Sequence, residues 1–138
     1  MSRIPNEWIE SHQSRINKIL IGFFNSRENN TTLHQACSYS VLNGGKRIRA
    51  LLVYAVGGIS NTDIKILDQL AISLELIHAY SLIHDDLPSM DDDNLRRGKE
   101  TCHIKFNEAQ AILAGDALQA LAFELLSSPK FNISSTKK

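Results

Sequence analysis

The run from 63 to 86 constrains this chain more than any other stretch. Ile66, Leu67, Leu70, Ala71, Leu74, Ile77 and Leu82 recur at spacings of three and four, which predicts a long buried helix. Pro88 ends it. Five aspartates then fall within nine positions (Asp85, Asp86, Asp91, Asp92, Asp93), and Arg96 and Arg97 follow. A packed core does not accept this density of carboxylates, because each buried one needs its own partner. The stretch is either a solvated charged loop or a site that holds divalent cations, with the arginines gripping an anion that the cations bring in. Asp85 and Asp86 project from the end of a rigid helix, which favours the site.

The remainder reads as helix after helix. A helix over 5–24 carries Trp8, Ile9, Ile16, Ile19, Leu20 and Phe23 on one side and starts near Pro5. Thr32 with Gln35 has the form of a capping box, so a second helix starts there and stops at Gly44-Gly45. A third segment, roughly 47–57, is helix or strand by periodicity; its length and its helical neighbours favour helix, with Gly57-Gly58 as its stop. Residues 87–103 read as loop, and a last helix covers about 107–127. The tail, 134–138, looks frayed, and no strand pair or repeat is expected. The fold class is all-α, helices packed side by side as an antiparallel bundle.

Composition narrows the function. Fifteen basic and fifteen acidic side chains cancel, which argues against nucleic acid or an anionic membrane surface as partner. Cys37 and Cys102 form no CxxC pair and supply no disulfide framework. The longest apolar stretch near the N-terminus, 19–24, is too short for a signal core or membrane span. A soluble, cytoplasmic protein is expected.

On the long helix Leu74, His78, Ser81 and Asp85 share a face, and Pro88 lets Asp91 return towards Asp85. Carboxylates converging in this way need a cation between them. Magnesium suits them: a hard ion with oxygen ligands that keeps several waters and bridges carboxylates to phosphate. A second constellation is Gly44-Gly45-Lys46-Arg47-Ile48-Arg49. It is either an anion clamp at a helix start or a helix C-cap followed by a solvated basic turn; it is not a P-loop. His84, His103 and Cys102 lack four-ligand zinc spacing, and Asp91-Asp92-Asp93-Asn94 fails as a calcium loop because Leu95 and Arg96 stand at its ligand and glycine positions. Asp116 reads as a buried packing or capping residue.

Together, Gly-Gly-Lys-Arg-x-Arg, the His78-Ala79-Tyr80-Ser81-Leu82-Ile83-His84-Asp85-Asp86 helix end, the aspartate loop with Arg96-Arg97-Gly98, Thr101-Cys102-His103 and Ala114-Gly115-Asp116-Ala117-Leu118 resemble the trans-isoprenyl diphosphate synthases, of the bacterial farnesyl (geranyl) type, from about Ala36 to Leu126. The resemblance implies a helix bundle of the isoprenoid synthase type. It implies a prenyltransferase in which magnesium assists loss of an allylic diphosphate (dimethylallyl or geranyl) and the double bond of isopentenyl diphosphate attacks the resulting cation. By motif, Asp85 and Asp91 match the magnesium ligands with Asp86 in support, Arg96 the allylic diphosphate contact, and Lys46, Arg49, His78 and Arg97 the isopentenyl diphosphate contacts. Tyr80 matches an aromatic floor that stops growth near fifteen carbons, or is a packed core tyrosine. A homodimer is implied for full-length members.

Two departures stand out. Ala50 occupies a position where the family usually has proline, which implies a local backbone change. The 138 residues correspond to the N-terminal part of a polyprenyl synthetase domain and contain no second aspartate cluster. The chain alone is therefore expected to be inactive or nearly so, and the competing reading is a non-catalytic diphosphate- or magnesium-binding module or partner subunit. A terpene synthase is disfavoured because the Lys46/Arg49 clamp serves a second diphosphate.

Overall fold

The computed structural model describes residues 5–129; the tail at 134–138 lies outside them. Six helices and one small hairpin follow in order: α1 Asn6–Asn25, α2 Thr32–Leu42, α3 Ile48–Ile59, α4 Ile64–Asp85, β1 Leu95–Arg96, β2 Lys99–Glu100, α5 Cys102–Lys105 and α6 Glu108–Ser127. The all-α expectation holds. α4 is the central element, in contact with α1, α2, α3 and most extensively α6. Ile16 and Leu20 of α1, Leu76 of α4 and Leu118 of α6 are fully buried at the heart of the core, each burial contributing about 1.5–3 kcal/mol relative to exposure.

Four local readings need correction. Thr31, not Thr32, caps α2: its hydroxyl accepts from the His34 amide at 3.1 Å. The match of Thr32 with Gln35 was one residue out of phase, because two adjacent threonines both suit the cap. α3 passes through Gly57 to Ile59. Gly57 is a packing residue, since a Cβ there would overlap the Leu67 side chain of α4. The segment read as loop contains the β1–β2 hairpin, in which Leu95 pairs with Glu100 and Arg96 with Lys99. Arg97 (φ 51°) and Gly98 (φ 77°) form its two-residue turn, both left-handed as a type I′ turn requires. Strands of two residues carry no alternation signal, so periodicity could not show them. Finally, Asp116 is exposed on α6, 3.8 Å from the His84 imidazole. Its neighbour Gly115 is the buried one, and a Cβ there would overlap the His84 ring.

α4 and α6 are each long and apolar enough, by length and hydropathy, to cross a membrane. In this fold they pair with one another as the core of the bundle.

Candidate functional site

The C-terminal end of α4 is built by backbone hydrogen bonds that fold the aspartate loop over the helix. The Leu87 amide donates to the His84 carbonyl at 3.2 Å, Met90 to Leu87 at 2.9 Å, Asp91 to Asp85 at 2.8 Å and Asp93 to Asp86 at 3.1 Å. The return of Asp91 towards Asp85 is thus a direct backbone contact. Thr101 ties the far side of the loop, its hydroxyl donating to the Asp93 carbonyl at 2.8 Å. Asp85 is half-buried and Asp91, Asp92 and Asp93 are exposed.

Asp86 faces the other way. It is 3% exposed, and its carboxylate accepts both arms of the Arg96 guanidinium, Nε at 3.0 Å and Nη2 at 2.6 Å. Two parallel charge-assisted bonds of this kind fix both groups. Asp86 therefore supports the loop by holding Arg96, and the carboxylates left for a cation are those of Asp85 and its exposed neighbours. Among the described residues no group of three or more His, Cys, Asp or Glu side chains converges on one point. Two carboxylates at a solvent-open helix end are nevertheless a donor set that suits magnesium, which takes one or two protein carboxylates and retains water.

The basic motif opens a cleft of about 650 Å³ between the α2–α3 turn and α4. Gly44, Gly45, Lys46, Arg49, His78 and Arg97 all line it. The structure thus brings together in one cavity Lys46, Arg49, His78 and Arg97, drawn from three separate segments. Lys46 and Arg49 are exposed at the rim. Arg97 reaches in from the hairpin turn, donating from Nη1 to the Gly44 carbonyl at 3.2 Å. Its guanidinium lies flat on Gly45, where a Cβ would stand 3.1 Å from both terminal nitrogens. Gly45 has φ 120°, a conformation that favours glycine, and a Cβ there would also crowd the Arg97 guanidinium.

Arg47, the third cation of the motif, also lines the cleft, as does Glu75, but its guanidinium is committed to internal partners. It is 8% exposed and turned into the protein, where Nε donates to Asn17 Oδ1 at 2.9 Å, Nη1 to Glu75 Oε2 at 3.1 Å and Nη2 to the Val41 carbonyl at 2.9 Å. Glu75 is itself buried, and its second oxygen accepts from the Ala50 amide at 3.4 Å. Proline at this position could not make that bond. Sequence reasoning missed Glu75, although a lone acid on the stripe Ala71-Glu75-Ala79-Ile83 signals a buried partner.

Burial and the positive charges of Arg49, Arg97 and Arg96 hold the His78 imidazole below its ordinary pKa of 6.5, against an opposing effect of Glu75. In the unfolded chain His78 binds a proton more readily than in the folded one. The His78 contribution to stability is therefore intact above pH 6.5 and is lost as pH falls through the interval below it. An NMR titration of His78 should give a midpoint below 6.5, moving upward when an anion occupies the cleft; an unmoved midpoint would contradict this electrostatic picture.

Tyr80 is half-buried on α4, its ring edge-on to His84 with centroids 5.6 Å apart. It is not among the residues that line the basic cleft.

Fold and site together define an all-α bundle with a basic cleft beside an aspartate-rich helix end. The polyprenyl synthetase family model matches residues 30–136, and the chain belongs to that family. It is 54% identical over 134 residues to a farnesyl diphosphate synthase of Haemophilus influenzae, covering 96% of this chain and 45% of that protein. To a farnesyl diphosphate synthase of Escherichia coli it is 60% identical over 98 residues, covering 71% and 33%. Among solved structures, a geranyltransferase from Legionella pneumophila superposes with a TM-score of 0.84 at 47% identity, covering 88% of this chain and 43% of that one. A geranyltranstransferase from Thermotoga maritima gives 0.75 at 41%, again covering 88% and 43%. The fold is that of the isoprenoid synthases, and the chain spans less than half the length of these relatives.

Proposed function

We propose that this chain carries the two-diphosphate site of a prenyltransferase that condenses isopentenyl diphosphate with dimethylallyl or geranyl diphosphate. One observation carries the reading: Lys46, Arg49, His78 and Arg97 meet in one cleft, on the same face of α4 as Asp85 and about two helical turns from it. Lys46, Arg49 and Arg97 would hold the diphosphate of isopentenyl diphosphate without a metal. His78 can donate one further hydrogen bond. Asp85 and Asp91 would hold magnesium, which when bound neutralises the charge on a departing allylic diphosphate. Arg96, fixed by Asp86, keeps Nη1 for that same diphosphate. Tyr80, one and a half turns below Asp85, would limit the product to fifteen carbons. Members of full length would pair as homodimers.

A second reading, a binding module or partner subunit without turnover of its own, is favoured by α3, where Leu52 (60%), Val56 (64%) and Ile59 (85%) stand exposed. Product analysis separates the two. Given magnesium, isopentenyl diphosphate and geranyl diphosphate, the chain alone should form no product above a magnesium-free control. Joined in one polypeptide to the remaining part of the Haemophilus influenzae relative, it should form a fifteen-carbon product, lost on Asp85→Asn. A soluble joined chain that binds substrate but turns nothing over would overturn the prenyltransferase reading and leave the binding module.

A further inference from the structure

We infer that Arg47 and Glu75 are positioning residues: their buried ion pair aims Lys46 and Arg49 into the cleft. The inference rests on the reading of that cleft as a diphosphate site.

Three observations converge. The first is backbone conformation. Arg47 is the N-cap of α3 with φ 54° and ψ 35°, a left-handed conformation that side chains other than glycine, asparagine and aspartate rarely adopt. That residue reverses the chain between Lys46 and the first turn of α3, so it sets where both neighbours point. The second is anchoring. The Arg47 guanidinium is held by Asn17 of α1, the Val41 carbonyl of α2 and Glu75 of α4. The planar fork spends one nitrogen on each, and no rotation of the side chain keeps all three. The third is continuity. Glu75 accepts from Arg47 with one oxygen and from the Ala50 amide with the other. One carboxylate thus pins the turn and the start of the helix that follows, and Lys46 and Arg49 lie at the two ends of the pinned segment.

A buried ion pair is weak evidence for stability, because desolvation offsets the attraction, and fixing one geometry is a better attested role. Here the fixed geometry is the spacing of the cleft's cations. Arg47 and Glu75 stand in the cleft wall, but each guanidinium nitrogen is taken by an internal acceptor, so Arg47 acts through Lys46 and Arg49.

The test is titration of the folded chain with inorganic pyrophosphate in the presence of EDTA, so that the metal motif takes no part. Three variants are compared with the unchanged chain. Lys46→Ala removes a cleft cation. Arg47→Lys keeps every charge but cannot make the three-way anchor. Arg47→Met with Glu75→Leu removes the pair together, leaves net charge unchanged and puts apolar side chains of similar volume in the interior. The expected result is about tenfold or greater weakening for all three, with Arg47→Lys retaining helix content and cooperative melting. A purely structural role would move the melting midpoint and leave the affinity of the folded protein as it was. Folded Arg47→Lys binding pyrophosphate as tightly as the unchanged chain would overturn the inference while leaving the cleft reading intact. Equal affinity of Lys46→Ala and the unchanged chain would instead overturn the cleft reading. Should the double variant fail to fold, Arg47→Lys decides alone.

Discussion

Arg47→Ala should lower the unfolding free energy by about 3–5 kcal/mol, the penalty for leaving one member of a buried ion pair without its partner. The side chains of Arg47 and Glu75 are 6% and 3% exposed, so the Glu75 carboxylate loses its partner where it is largely desolvated, and Asn17 and the Val41 carbonyl lose a donor at the same time. For a chain of this size that loss lowers the melting midpoint by roughly 10–20 °C. Arg15 and Asp68 give the contrast. Their bonds are shorter, 2.8 and 2.6 Å, yet the Arg15 side chain is 40% exposed, so Arg15→Ala should cost no more than about 1 kcal/mol and less at high salt. Burial, not distance, ranks the two pairs. Urea melts of both variants check the order, and a double-mutant cycle with Arg47→Met and Glu75→Leu isolates the pair itself. Equal losses for Arg47→Ala and Arg15→Ala would show that the interior pair is solvated.

The same contrast explains what could be read from the sequence. α1 and α4 were legible because apolar residues recur at spacings of three and four over five or more turns, and α6 because a run of that length rich in alanine and leucine favours a helix. The residues of the basic cleft were legible as types: glycines, then cations, with a histidine on the facing helix. Which arginine turns inward was not. Lys46, Arg47 and Arg49 look equivalent by residue type; the family motif set Lys46 and Arg49 apart, but the physical cause, a left-handed backbone at Arg47 and a carboxylate 28 positions away, is visible only in the structure. Asp86 was assigned as support for the magnesium ligands and Arg96 as a diphosphate contact, and that the two also hold one another was not legible. Such pairings depend on three-dimensional proximity across a loop, and neither propensity nor period encodes that. The hairpin at Arg97-Gly98 escaped for a simpler reason, its strands being shorter than one full alternation.

Two charge-removing double variants should weaken two different ligands in a crossed pattern. Lys46→Ala with Arg49→Ala removes two of the cleft's cations and leaves Arg97 and the inward-held Arg47. Each charge-assisted hydrogen bond contributes about 1.5–3 kcal/mol, so affinity for isopentenyl diphosphate without metal should fall roughly 10²- to 10³-fold or more. Both side chains are exposed at the rim, so stability should change by no more than about 0.5 kcal/mol and the loss reads as binding alone. Asp85→Asn with Asp91→Asn should leave that affinity unchanged or slightly improved, since it removes negative charge near an anion site. The aspartate variant should instead abolish the magnesium-dependent part of geranyl diphosphate binding, because neutral amides bind the ion poorly. Calorimetric titrations of the two ligands, with magnesium and with EDTA, fill the four cells of the comparison. If both double variants weaken both ligands alike, the cleft and the aspartate loop form a single anion site. The proposed division of labour between cations that grip directly and carboxylates that grip through a metal would then be wrong.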